Sequence, residues 1–286
     1  MSVKKYLDKL QDLKGHKVIV TGGTSGIGLS IVKELLIKGA NVVIMARNIE
    51  KANKVKSRFI EEYKDCTIDI VKYDQSDDES IIKAAKVINN EHSDFYALVM
   101  NAGIFQGAGK TTYVNDIPLT LKTNFVGVKV LLDHLLDELK GKHRFIFQGS
   151  LAAGYRIRKL NSLKVNKISA WQQYLISKAG VESLYFYYSQ KEYCDYSFYL
   201  VEPGITNTEI IREFPTPIKQ LGHAFMICAS HSPDKAALTA MLALQENVEP
   251  CFIVPRGLFS WSGYPKIKKF PKKREKTYLL DLLNII

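Results

Sequence analysis

The chain of 286 residues carries 40 Lys and Arg against 29 Asp and Glu, a formal excess of +11, with 46% hydrophobic and 24% charged residues. That balance fits a globular chain and excludes the disordered and collagen-like classes. The longest apolar runs, among them 95–100 and 224–229, reach six residues, whereas a membrane-spanning helix needs about 20.

The N-terminal segment MSVKKYLDKLQDLKGHK has no apolar stretch of signal-peptide length, so the expectation is a chain that is not exported. Short β-branched or aromatic runs then alternate with segments of 3.6-residue periodicity. Strands are predicted at 17–21, 41–46, 67–73, 95–100, 144–148, 196–201 and 251–254, and helices at 27–38, 50–63, 77–90, 119–139, 172–191 and 233–245. Near-continuous apolar strands joined by helices mean a parallel sheet buried on both faces, with right-handed crossovers placing helices on each side. The fold class is therefore α/β, a single doubly wound (Rossmann) sheet of about seven strands. One domain is expected over 1–286, with 256–286 as a basic C-terminal extension.

Two stretches break the alternation. Residues 151–171 are basic and weakly periodic, and 205–232 hold Pro215, Pro217 and Gly222. Both follow strands, which puts them at the carboxyl edge of the sheet, where long loops form substrate walls or lids. Between Tyr264 and Lys276 lie seven basic residues and one acid, Glu275, a local excess of +6. The tail reads as a solvated terminal segment that could make weak contact with an anionic membrane surface. The rest of the chain does not read as a nucleic-acid binder.

The first strand runs straight into Thr21-Gly22-Gly23-Thr24-Ser25-Gly26-Ile27-Gly28 and then a helix. Glycines there allow a tight turn and the close approach of a pyrophosphate, while the helix N-terminus offers free N–H groups to it. Gly22, Thr24, Ser25, Gly26, Ile27 and Gly28 are the candidate phosphate-binding residues. The second strand ends at Ala46-Arg47-Asn48, where a domain selective for NAD places a carboxylate against the ribose 2′-OH. Arg47, with Asn48 beside it, suits a 2′-phosphate instead, so the cofactor expected is NADP(H). The four cysteines (Cys66, Cys194, Cys228, Cys251) lack CxxC spacing, and the six histidines (His16, His92, His134, His143, His223, His231) form no HExxH. The expectation is a reduced, cytoplasmic protein without a metal site.

With TGGTSGIG in place, the chain from Gly15 to about Pro255 resembles the short-chain dehydrogenase/reductase family. The resemblance implies that Asp74, followed by Gln75, contacts the adenine. It makes Asn101-Ala102-Gly103 the NAG motif lining the cofactor cleft, and Asn124 the residue that holds a relay water through its backbone. Ser150 is then the catalytic serine. Pro203-Gly204-Ile205-Thr206-Asn207-Thr208 matches the segment near the nicotinamide amide, with Pro203, Gly204, Ile205, Thr206 and Thr208 as candidate contacts.

The family's Tyr–Lys pair is ambiguous on pattern alone, because YxxxK occurs at Tyr155/Lys159, Tyr174/Lys178, Tyr187/Lys191 and Tyr264/Lys268. Tyr155 follows Ser150 too soon for the next crossover helix, and Tyr264 follows the last predicted strand. Tyr187 is thirteen positions past Tyr174, turned about 220° away on the same helix. Tyr174 and Lys178 start the helix after the fifth strand, and they are the chosen pair. The chemistry needs a proton donor for the alkoxide formed by hydride addition to a carbonyl. A phenol of pKa about 10 needs a neighbouring cation to favour its phenolate. Lys178 would do this and hydrogen-bond the nicotinamide ribose, as the resemblance implies, while Ser150 steadies the substrate oxygen.

Ser150 and Tyr174 stand 24 positions apart, about twice the family's commonest spacing. A longer segment here and a basic tail loosely resemble the retinol-dehydrogenase-like branch, which acts on bulky lipophilic alcohols and carbonyls. The leading expectation is an NADP(H)-dependent oxidoreductase acting on a small-molecule carbonyl or alcohol, with a homodimer as the candidate assembly. The alternatives are a sugar-nucleotide epimerase or dehydratase relative and a non-catalytic NADP(H)-binding redox sensor.

Overall fold

A computed structural model describes residues 1–107, 111–154, 168–191, 193–206 and 230–271. A short N-terminal helix, α1 (Val3–Leu7), precedes β1 (Lys17–Thr21), α2 (Gly26–Ile37), β2 (Asn41–Ala46), α3 (Ile49–Glu62), β3 (Ile68–Lys72) and α4 (Asp78–Glu91). The chain continues through β4 (Ala97–Met100), the small hairpin β5 (Tyr113–Val114) and β6 (Ile117–Pro118), and α5 (Leu119–Leu121). A π turn (Lys122–Val126) then leads into α6 (Gly127–Leu136), followed by β7 (His143–Gln148), α7 (Ala170–Ser189) and β8 (Tyr196–Val201). Helix α8 (Pro233–Ala243), β9 (Phe252–Pro255) and β10 (Pro265–Lys268) complete it.

The main sheet runs β10-β9-β8-β7-β4-β1-β2-β3, parallel throughout except for β10. Strand side chains alternate between the two faces, as a two-residue period requires. Ile19, Leu98, Phe145 and Phe147 pack with α4, α6 and α7 on one face. Val18, Val20, Val99 and Ile146 pack with α1, α2, α3 and α8 on the other. The order reverses between β1 and β4, so the connections leaving these strands diverge. That divergence opens a crevice at the carboxyl edge.

Helix starts follow their caps. Asn48 and Asp77 accept backbone N–H groups at the heads of α3 and α4, and Pro233 opens α8 behind the Ser232 cap. Ser169 and Gln172 form a reciprocal capping box on α7, which begins two residues earlier than its periodicity predicts.

Two expectations need correction, and one hairpin went unpredicted. The strand at β9 is not the last, because β10 pairs antiparallel with it inside the segment expected to be a basic extension. Residues 265–268 are thus a sheet edge and not a free tail, which makes eight strands. PKIK offers one apolar residue, too little for a strand signal, and the pairing comes from the hairpin that returns the chain. The predicted helix 119–139 is interrupted by the π turn and ends at Leu136. Finally, β5 and β6 are joined by Asn115 and Asp116, both at positive φ (49° and 61°), a region that Asn and Asp tolerate better than other non-glycine residues. The end of the basic segment, from residue 272, lies outside the described residues.

Candidate active site

The glycine turn fills the crevice between β1 and β4. Gly22 and Gly26 have φ of +70° and +54°, a region that side chains disfavour. At Gly28 the constraint is contact. A Cβ there would lie 2.3 Å from the Gly22 carbonyl oxygen and 2.4 Å from Asn101 Nδ2. The helix can therefore begin directly beneath the turn. Thr21 ties the turn to the next crossover, its Oγ1 accepting the Ala102 N–H at 2.9 Å and its carbonyl accepting from Asn101 Nδ2 at 3.0 Å. Ser25 caps α2 without a side-chain hydrogen bond to it, leaving the first-turn N–H groups to an anion. This cradle fits the pyrophosphate of a nicotinamide dinucleotide.

At the end of β2, Arg47 and Asn48 are exposed. The Lys72 ammonium donates to the Arg47 carbonyl at 2.6 Å, and the Asn48 side chain is used in capping, accepting the Lys51 N–H at 2.8 Å. Asp74 Oδ1 accepts from both the N–H and the hydroxyl of Ser76, at 3.0 and 2.6 Å. Gln75 is buried, and its amide is committed to the framework. Nε2 donates to the carbonyls of Ala102 (3.1 Å) and Thr123 (2.6 Å), and Oε1 accepts from the Tyr73 hydroxyl. Gly127 lets α6 pass, since a Cβ there would sit 2.0 Å from the Gln75 carbonyl oxygen.

Asn124 sits within the π turn, an irregularity that concentrates at functional sites. Its Oδ1 accepts the Ile104 N–H (2.7 Å), and its Nδ2 donates to the Ile104 carbonyl (2.8 Å) and to Ser177 Oγ (3.0 Å). These bonds join α7 to the NAG segment. A Cβ on Gly103 would meet Asn124 Oδ1 at 3.2 Å and lie 3.7 Å from Lys178 Nζ, so the Lys178 ammonium reaches this motif.

Tyr174 and Lys178 lie one turn apart on α7, both buried. The Tyr174 phenol faces Ser150, whose Oγ accepts the Ala152 N–H at 3.2 Å. Lys178 donates to the Gln148 carbonyl at 3.2 Å. Burial raises the Tyr174 phenol above its ordinary value, with Ser150 pulling the other way. Burial also brings the Lys178 ammonium down from 10.5 to about 8. The direction at Tyr174 is opposite to the one expected from its cationic neighbour, because loss of water around the phenolate outweighs the stabilising contacts. Phe105 and Trp171 flank the phenol, with ring centroids 5.4 and 5.8 Å away.

The other Tyr–Lys pairs are built differently. Lys191 lies over the Tyr187 ring, 4.3 Å from its centroid, on the protein surface. Tyr264 stacks on Tyr6 and donates its hydroxyl to the Met1 carbonyl, with Lys268 on the edge strand. Tyr155 and Lys159 lie outside the described residues.

Beyond β8, Gly204 (φ +79°) turns the chain, and the Ile205 N–H donates to the Trp261 carbonyl at 2.7 Å. His231 closes this loop from α8's side. Its N–H donates to the Ile205 carbonyl at 3.0 Å, and its Nε2 hydrogen-bonds the Pro203 carbonyl. Burial holds the His231 ring below its usual value. Thr206 Oγ1 is buried without a hydrogen-bond partner among the described residues, and a carboxamide would satisfy it. Thr208, most of the predicted lid 205–232, and residues 155–167 of the other loop lie outside the described residues. His231, Trp261 and Phe105 went unmarked in the sequence, since each enters the site by a contact distant along the chain, whereas Trp171 stands one turn before Tyr174 on the same helix, a spacing the sequence carries. Among the described residues no cluster of His, Cys, Asp and Glu could hold a metal ion, and no helix is long and apolar enough to cross a membrane.

Comparison with known proteins places these features in a wider group. A family model described as short chain dehydrogenase matches residues 16–218. An uncharacterized oxidoreductase of Schizosaccharomyces pombe is 29% identical over 257 residues, covering 84% of this chain and 75% of the relative. The WW domain-containing oxidoreductase of Gallus gallus is 28% identical over 130 residues, 46% of this chain and 31% of the relative. Several further curated relatives are likewise matched over less than half of their length. The crystal structure of a short chain dehydrogenase from Burkholderia cenocepacia in complex with NADP has a TM-score of 0.66 and 22% identity, covering 85% of this chain and 96% of that one. At that identity the likeness carries the fold.

Proposed function

We propose, for a chain that belongs to the short-chain dehydrogenase family, an NADP(H)-dependent oxidoreductase that interconverts an alcohol and its aldehyde or ketone, with carbonyl reduction as the working direction. The observation that carries this reading is the buried Tyr174 phenol set against Ser150, with the buried Lys178 one turn further along α7. Burial keeps the phenol in its neutral form at ordinary pH, the form required of a proton donor.

Residues of the glycine turn, with Asp74, Asn101, Gly103 and the 203–206 loop, would hold the dinucleotide. When bound, it supplies hydride to the carbonyl carbon. The chain's part is orientation and proton handling. Ser150 Oγ donates a hydrogen bond to the substrate oxygen, and Tyr174 delivers its proton to that oxygen as negative charge develops there. The phenolate left behind is stabilised by the Lys178 ammonium, which has N–H groups beyond the one given to Gln148. Asn124, through its backbone in the π turn, opens a water path for reprotonation. Phe105 and Trp171 supply apolar walls that favour a bulky lipophilic substrate over a small polar one.

Arg47 supports NADP(H) over NAD(H). It is exposed at the end of β2 with no carboxylate at 46–48, and the Lys72 ammonium adds a second positive charge against its backbone. A reducing, cytoplasmic setting is part of this reading, with Cys66, Cys194 and Cys251 as free thiols.

The test is consumption of NADPH with a panel of aldehydes, ketones, steroids and quinones, for the natural chain and for Tyr174→Phe. The variant should lose turnover by about 10²–10⁴ while holding NADPH within a few-fold of the natural affinity. Comparable turnover in the two proteins would overturn the assignment of Tyr174.

A further inference from the structure

The loop joining β9 to β10 presents an apolar tip that the fold does not cover. Leu258 is 75% exposed and Phe259 68% exposed, more than any other large hydrophobic residue of the described chain. This is not slack backbone. Phe259 and Ser260 are both held at positive φ (51° and 61°), a conformation costing about 1–2 kcal/mol for a residue with a side chain. The loop is pinned from inside by the Gly257 N–H on the Ser262 carbonyl (2.8 Å), the Trp261 N–H on the Leu258 carbonyl (3.0 Å) and the Arg256 N–H on the Tyr264 carbonyl (2.8 Å). Ser260, the polar member, is the one turned inward and buried.

The surroundings of the tip are cationic. Arg256 stands exposed at its base, and the Lys266 ammonium donates to the Arg256 carbonyl at 3.4 Å. Lys268 and Lys269 are exposed on and just beyond β10, with Ile267 (56% exposed) between the strand lysines. From residue 251 to residue 274 the sequence has seven basic residues and no acidic one. Two protruding apolar side chains with Arg256 and Lys266 at their base, on a segment whose sequence carries no acid from 251 to 274, match a bilayer interface. The leucine and phenylalanine side chains enter the acyl boundary while the basic groups meet anionic headgroups.

We propose that the Leu258-Phe259 tip docks this chain on an anionic lipid surface. The tip hangs from the candidate site, because Trp261 gives its carbonyl to Ile205 in the segment after β8. A docked molecule would therefore hold its crevice close to the headgroups, within reach of a lipophilic carbonyl partitioned in the bilayer. That last consequence rests on the function proposed above. The docking does not.

The test is co-sedimentation of the full chain with phosphatidylcholine vesicles, with and without phosphatidylserine. Binding should require the anionic lipid and fall as salt is raised, since surface charge is screened. Leu258→Ser combined with Phe259→Ser should weaken it about tenfold or more with no change in melting temperature. Lys266→Glu combined with Lys268→Glu should remove the preference for phosphatidylserine. Binding undiminished in the serine pair would overturn the proposal. So would a concentration-dependent dimer in light scattering that the serine pair abolishes, which would assign the tip to a second copy of the chain. NADPH turnover of a water-soluble aldehyde should be the same in the serine pair and the natural chain. Vesicle binding without any turnover would sink the proposed chemistry and leave the docking standing.

Discussion

Lys178 is 7% exposed, and its ammonium donates to the Gln148 carbonyl. Burial lowers its pKa from 10.5 to about 8, so keeping it charged costs the folded state about 3 kcal/mol at 1.36 kcal/mol per tenfold. The sign follows from proton counting. Between about 8 and 10.5 the unfolded chain binds more protons at this residue than the folded one, so stability rises with pH across that window. Below it the whole penalty is present. Lys178→Met keeps the aliphatic stem and removes the charge. It should stabilise the protein at pH 7 by about 3 kcal/mol less about 1 kcal/mol for the lost hydrogen bond, a net gain of about 2 kcal/mol. The gain should shrink by about 2 kcal/mol by pH 9.5. Urea unfolding followed by tryptophan fluorescence at the two pH values measures both quantities, and turnover should collapse in the same variant. A stability gain equal at both pH values, or a loss at pH 7, would show that burial is not what depresses this ammonium. Such a variant would also mark the residue as one kept at a cost to the fold.

Two further expectations concern the cofactor cleft. Gly28→Ala would force a methyl to within 2.3 Å of the Gly22 carbonyl oxygen, so the variant should lose about 1–3 kcal/mol of stability and bind NADPH about tenfold or more weakly; an unchanged melting curve would count against the contact. Arg47→Asp puts a carboxylate where the sequence lacks one, and should lower the NADPH-to-NADH affinity ratio about tenfold or more in fluorescence titration. A ratio that does not move would remove Arg47 from cofactor selection.

Much of the architecture was legible because it is written in local periodicity. The apolar runs at β1, β2 and β8 coincide with the observed strands, and the glycine turn lies where a strand meets a helix. Asp74, Asn101 and Ser150 could be proposed for a different reason: they stand at strand ends, which the alternation already orders, and Tyr174 and Lys178 by their place at the start of the helix that follows. What escaped depends on contacts distant in sequence or on geometry that composition does not encode. The strand β10 owes its place to a hairpin and not to its own pattern. The π turn is met by Gln75, whose amide donates to the Thr123 carbonyl, and the bracing of the 203–206 loop by His231 and Trp261 spans tens of residues. Gln75 shows the limit most clearly. Its neighbour Asp74 marks the position by motif, but only the fold reveals that the Gln75 amide is committed to the carbonyls of Ala102 and Thr123.

The antiparallel ribbon at the far rim of the sheet has a consequence for biosynthesis. Seven parallel strands can assemble as the chain leaves the ribosome, but β9 keeps an open row of backbone donors and acceptors until residues 265–268 emerge. Such a rim is a template for another nascent chain. A closing piece that begins with proline and alternates lysine around a single isoleucine satisfies β9 while offering a poor template of its own. A messenger truncated just after Pro255 should therefore yield a product that clumps, even though every residue named for chemistry has already been made.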